Sequence, residues 1–148
     1  MGLFDKVLGV QSKANEMLSP AEAFAAITLA AIASDGYLSD EEARGMSFTL
    51  SRMKLFRSYS DDVMRRMFDK LLNILKREGV GALFNAAKSS LPEDLHATAF
   101  AVSCDLVLAD GVVTEEEQDF LSQLHQALNI PEEKAVQIVD VMMIKNKG

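Results

Sequence analysis

ITLAAIASDGYLSDEEARGMS, residues 27–47, and VSCDLVLADGVVTEEEQDFLS, residues 102–122, are two versions of one pattern. They align without a gap at a constant offset of 75 residues, Asp35 falling on Asp110, Gly36 on Gly111, Glu41 on Glu116, Glu42 on Glu117 and Ser47 on Ser122. Ser39 with Thr114, Asp40 with Glu115 and Ile32 with Val107 are close chemical matches. Each version reads as an apolar helix, an Asp-Gly corner and an acidic helix start. A unit of this kind occurring twice points to two similar halves, helix pairs in a pseudo-two-fold arrangement.

Backbone physics accounts for much of the pattern. Gly36 and Gly111 follow apolar helices, where a residue tolerant of the left-handed conformation is needed to stop the helix. Ser39-Asp40-Glu41-Glu42 and Thr114-Glu115-Glu116-Glu117 both fit a capping box, the hydroxyl accepting from the third backbone N–H and the Glu returning to the cap's own N–H. The acids also favour the positive end of the next helix dipole, each by about 0.3–1 kcal/mol. The aspartates are explained least well, because the C-terminal end of a helix is electrically negative. A tight corner can bring Asp35 and Glu42 to one side, and likewise Asp110 and Glu117, giving hard oxygen ligands suited to Ca²⁺ or Mg²⁺. An EF-hand is excluded. With Gly36 at its sixth position, Ala31 and Ala33 stand where the first and third ligands belong, and the second unit puts Leu106 and Leu108 there.

Outward from these corners, helix formers and helical periodicity prevail, and alternating β-branched runs are absent. The pattern predicts an all-α, single-domain bundle of seven or eight helices over residues 3–17, 20–34, 40–54, 61–78, 80–90, 92–109, 115–128 and 132–144. The repeat units cover about 20–78 and 92–144. Pro20, Pro92 and Pro131 open helices, and Ser19 before Pro20 is a natural cap. Within 61–78, Val63, Met67, Leu71, Ile74 and Leu75 make one apolar stripe. Segments 20–34 and 92–109 are apolar nearly all round and are expected at the centre. The eight methionines read as core filler. Leu3, Phe4, Val7 and Leu8 make the first helix apolar, fit either to close the core or to form an oligomer contact.

The 148-residue chain carries a formal charge of −7, which disfavours nucleic acid as a partner. A single cysteine, Cys104, permits no intramolecular disulfide, and a cytoplasmic location is expected. The start MGLFDKVLGV lacks the organisation of a signal peptide, and the most apolar stretch, residues 21–33, is too short to span a bilayer. No active site can be assembled. His96 and His125 have no metal-ligand spacing and read as ordinary helix residues. Cys104 reads as an inert buried thiol, Asp105 as an edge or polar contact, and Arg52, Lys54, Arg57, Arg65 and Arg66 as a solvated basic surface.

Taken together, Leu3-Phe4-Asp5-Lys6, SDGYLSDEE, ADGVVTEEE and LNIPEE resemble the TerB tellurite-resistance family along essentially the whole chain. The resemblance implies an all-α fold with duplicated helix bundles, cytoplasmic location and a role in tellurite or wider chemical-stress resistance without catalytic activity. It also implies metal binding through acidic residues, carried here by Asp35, Glu42, Asp110 and Glu117, with Glu41 and Glu116 secondary. Other stress-response proteins are the implied partners, in complexes that are partly membrane-associated, so that this chain would be peripheral and not integral. Two readings stand at this point. In one, a divalent cation, Ca²⁺ or Mg²⁺, is held at the corners. In the other, the chain is a metal-free helical interaction module, its acids are capping devices and it has no cofactor.

Overall fold

The computed structural model describes residues 18–34, 38–109 and 111–148. Among them it has no strand and six α-helices: α1 (Pro20–Ile32), α2 (Asp40–Ser51), α3 (Asp61–Ser90), α4 (His96–Leu108), α5 (Glu115–Ala127) and α6 (Glu132–Lys145). Two short 3-10 turns, Lys54–Phe56 and Glu93–Leu95, lead into α3 and α4. The all-α class is as expected, while the helix count differs from seven or eight. The helix expected over 3–17 lies outside the described residues. Those expected over 61–78 and 80–90 run together as α3, whose backbone leaves helical geometry at Gly79.

α1 is the centre of the fold. Its cap is set by Ser19, whose hydroxyl accepts from the Glu22 N–H at 3.1 Å while its own N–H donates to Glu22 Oε1 at 2.9 Å. Pro20 follows at the first helical position, where a missing N–H costs nothing. From Ala23 to Ile32 every residue is buried. Five alanines in that stretch keep the helix thin, so neighbouring helices approach it on all sides. α1 packs chiefly on α3 and α4, and Lys70 of α3 reaches Glu22 Oε2 at 3.1 Å.

α4 departs from the expectation that it would be buried all round. Only the stripe Ala99, Phe100, Ser103, Cys104 and Val107 is fully buried. Its first turn is also not α-helical: Pro92 precedes the 3-10 turn, and α4 begins at His96. Thr28 of α1 and Ser103 of α4 are related by the sequence offset, yet they solve burial differently. Thr28 Oγ1 donates to the Ala25 carbonyl at 2.8 Å, whereas the buried Ser103 hydroxyl has no hydrogen-bond partner among the described residues.

α5 ends in a Schellman turn. Asn129 takes the left-handed conformation (φ 58°), its N–H donates to the Gln126 carbonyl at 3.1 Å, and the Ile130 N–H closes on the His125 carbonyl at 2.8 Å. Pro131 then caps α6. No helix among the described residues is long and apolar enough to cross a membrane.

The break in α3 makes a direct test. Gly79 has φ 90° and ψ 169°, a region that only glycine occupies without strain, and nothing lies within 4 Å of where a Cβ would stand. Gly79→Ala should therefore destabilise the protein by about 1–3 kcal/mol through the backbone alone. Gly81→Ala, on an exposed helical position two residues on, should be neutral or stabilising by up to about 1 kcal/mol. Urea unfolding followed by circular dichroism measures both, and equal effects would contradict the assigned break.

Candidate functional site

Both acidic corners are built from the same cap. At the start of α2 the Glu42 N–H donates to Ser39 Oγ at 3.0 Å, and the Ser39 N–H donates to Glu42 Oε1 at 2.9 Å. At the start of α5 the Glu117 N–H donates to Thr114 Oγ1 at 3.1 Å, and the Thr114 N–H donates to Glu117 Oε1 at 2.9 Å. Each box satisfies donors that would otherwise be orphaned at a helix start, worth about 1 kcal/mol. The helix stop is visible in the second unit. Gly111 has φ 77°, and its N–H donates to the Leu108 carbonyl at 3.1 Å. Asp35, Gly36 and Asp110 lie outside the described residues.

Residues of both caps line one cavity. Glu42 and Glu117 line one cavity of about 460 Å³, together with Glu41, Ser39 and Thr114, against an apolar wall that includes Ile32 of α1 and Leu106 of α4. The sequence reading gives each corner its own ion position; in the structure the two corners share a single space. Glu117 is only 5% exposed and Glu42 is half-buried. A buried carboxylate requires hydrogen-bond donors, and the Thr114 N–H is one for Glu117. Glu116 is exposed and lies away from the cavity lining, so of the two secondary candidates only Glu41 faces it.

The donor set has a definite chemical character. Among the described residues, the polar side chains on the cavity wall are carboxylates and hydroxyls, with neither imidazole nor thiol. Hard oxygen donors suit Ca²⁺ or Mg²⁺ and suit soft or borderline metals poorly. Among the described residues no three of His, Cys, Asp and Glu cluster closely enough to hold an ion by themselves. Glu42 and Glu117 line the cavity, and Asp35 and Asp110, the aspartates the sequence reading pairs with them, are outside the described residues.

The remaining candidates have structural roles. His96 places Nδ1 3.1 Å from the Leu128 carbonyl and Nε2 3.4 Å from the Leu91 carbonyl, tying α4 to the end of α5. His125 places Nδ1 3.1 Å from the Ile130 carbonyl and sets its ring edge-to-face with Phe100. Asp105 is a polar contact, receiving Lys145 Nζ at 3.1 Å and Asn146 Nδ2 at 2.8 Å from the end of α6. In the basic cluster, Arg65 and Arg66 both bond to Asp62 and hold its carboxyl below the usual carboxylate range, and Arg52 lies over the Phe48 ring.

A family model described as "Tellurite resistance protein TerB" matches residues 21–140. Comparison with curated proteins and with solved structures produced no match.

Cys104 is fully buried, and burial, followed by the neighbouring Asp105 charge, pushes its thiol up to about 12. At pH 8 it should form about three orders of magnitude less thiolate than an exposed cysteine. An aromatic disulfide reagent should therefore leave the native protein unlabelled and release one equivalent of chromophore only on unfolding in guanidinium. Rapid stoichiometric labelling of the native protein would contradict this placement.

Proposed function

The chain belongs to the TerB tellurite-resistance family, and from that premise we propose that it is a non-enzymatic, cytoplasmic tellurite or chemical-stress resistance protein binding one divalent cation between its acidic corners. The observation that carries this reading is the convergence of Glu42 and Glu117, 75 residues apart in the chain, on one oxygen-lined cavity. Asp35 and Asp110, the corner residues that capping explains least, complete the ligand set. The ion of this reading is Ca²⁺ or Mg²⁺, because the polar side chains that the described residues bring to the cavity are carboxylates and hydroxyls.

Capping and ligation are compatible in principle. An ionised carboxylate has roughly four acceptor directions, and a cap bond uses one of them. The cap also holds the carboxylate in a fixed orientation, so less side-chain freedom is lost when an ion arrives. A second reading has its own support. Both glutamates are already engaged in complete capping boxes, as a metal-free interaction module of a stress-response complex would require.

The two roles separate by mutation. Gln replaces Glu in a capping box but lacks the charge, so Glu42→Gln/Glu117→Gln should weaken Ca²⁺ or Mg²⁺ binding by roughly tenfold or more, about 1.4 kcal/mol, with little change in stability without metal. Ser39→Ala/Thr114→Ala should lower stability by about 1 kcal/mol per cap and leave a measurable cation titration. Calorimetric titration of metal-stripped protein, beside thermal unfolding in chelator, reads both effects. The Asp35→Asn/Asp110→Asn variant tests the other half of the set, and should lose binding while remaining folded. Absence of heat with either ion in the wild type, and no metal-dependent rise in melting temperature, would sink the cation reading and leave the interaction module.

A further inference from the structure

Among the described residues, α6 keeps an apolar face exposed. A groove of about 620 Å³ runs between α4, α5 and α6, walled by Leu108, Val113, Leu121, Val136, Val139 and Met143. Val136 is 61% exposed and Met143 57%, high values for apolar side chains that face a groove already lined by other apolar groups. Along α6 the groove residues Glu132, Val136, Val139, Asp140 and Met143 recur at helical spacing on one face, over about 16 Å at 1.5 Å per residue. That is three turns, the length over which a docked helix presents its i, i+3/i+4 and i+7 side chains.

The position of the groove in the repeat makes it distinctive. Met46 and Leu50 of α2 are buried, while their counterparts at the same offset on α5, Leu121 and His125, are only partly covered and line the groove. The depression between α2 and α3 has Phe48, Met64 and Phe68 in its lining but sets Arg44, Arg65, Asp61 and Asp69 among them. Among the described residues, an apolar groove with acidic and no basic side chains in its lining is thus found in the C-terminal half and does not follow from the repeat itself.

Its charge selects the occupant. Glu132 and Asp140 stand on the rim, and among the described residues no Lys or Arg lines the groove. α5 carries Glu115, Glu116, Glu117 and Asp119 with no Lys or Arg, and α6 carries Glu132, Glu133 and Asp140 against Lys134 and Lys145. A second copy of this chain would bring the same acidic rim against itself. The chain's own residues 1–17 match Lys6 and Lys13 with Asp5 and Glu16, so their side chains offer no net positive charge. We propose that this groove is a docking site for a basic amphipathic helix of a partner protein, whose apolar stripe lies along Leu121, Val136 and Met143 while its Lys or Arg residues meet Glu132 and Asp140.

Fluorescence anisotropy on the full chain in chelator, with a labelled synthetic helix of about eighteen residues (Leu on one face, Lys elsewhere), tests this independently of any cation site. Its comparators are the same peptide with Glu for Lys and a permuted peptide of equal composition without a stripe. The Leu/Lys peptide should bind best, more weakly as salt is raised. Val136→Glu/Met143→Glu should weaken that binding by roughly tenfold or more, as truncating interface anchors does. Both added charges would strengthen any attraction that was merely electrostatic, so a loss reports the groove itself. Phe48→Glu, an equally exposed apolar position on α2, should leave binding unchanged. The proposal is overturned if the permuted or Leu/Glu peptide binds equally well, or if Val136→Glu/Met143→Glu binds as tightly as wild type. It is also overturned if sedimentation finds a dimer that this variant dissociates, since the occupant is then a second copy. Binding that appears only after Leu3→Ser/Phe4→Ser/Val7→Ser would overturn it too, by making the chain's own start the occupant.

Discussion

A helix that is still buried where it ends must find partners for its last carbonyls close by. α1 is such a helix, its residues from Ala23 to Ile32 shielded from water, and the last carbonyls of any α-helix have no partner within it. Those groups cannot be left in an apolar interior without a cost of about 1–3 kcal/mol each, and just past the end of α1 the Ser34 hydroxyl donates to the Ala31 carbonyl at 3.0 Å. The matching segment around Gly111 meets the same demand with a left-handed residue and an immediate N-terminal cap. The acidic restart is a consequence of that geometry, because a helix beginning beside a core needs its first N–H groups satisfied locally.

From this follows the position of the cavity. Ile32 at the end of α1 and Leu106 near the end of α4 form part of its wall, and the caps of α2 and α5 add the oxygens. One wall is therefore hydrocarbon and the other carries carboxylates, two of which, those of Glu42 and Glu117, are held by backbone N–H groups. A low-dielectric wall strengthens the field of carboxylates beside it. Holding Glu117 as a nearly buried anion is tolerable only with donors such as the Thr114 N–H in place.

Much of this was legible in the sequence where the cause is local. The capping boxes at Ser39 and Thr114, the Ser19-Pro20 start and the boundary at Gly79 depend on residues within four positions of one another. The left-handed stop at Gly111 belongs with them. Properties set by long-range packing were not legible. Apolar composition alone made α1 and α4 look alike, but α4 has Asp105 to satisfy, and it does so through Lys145 and Asn146 at the end of α6. That polar contact keeps one side of α4 near the surface. The meeting of Glu42 with Glu117 was hidden for a related reason: an offset along the chain says that two corners are alike and nothing about whether they face each other.

Likeness of the two units in sequence also conceals a divergence in what their surfaces do. On α5, Glu117 turns to the cavity while Leu121 and His125 turn to the apolar groove, and only four residues separate the two uses. On α2 the corresponding Glu42 faces the cavity, but Met46 and Leu50 are withdrawn into the core. The polar edge of the unit is thus preserved in both halves, where backbone capping dictates it. The apolar edge is governed by packing, which allows a Met to be exchanged for a Leu and a Leu for a His once the neighbouring helix sits differently. In the C-terminal half His125 bonds to the Ile130 carbonyl across the Schellman turn, a contact Leu50 could not make, so α6 is held by a polar link and its apolar face remains open.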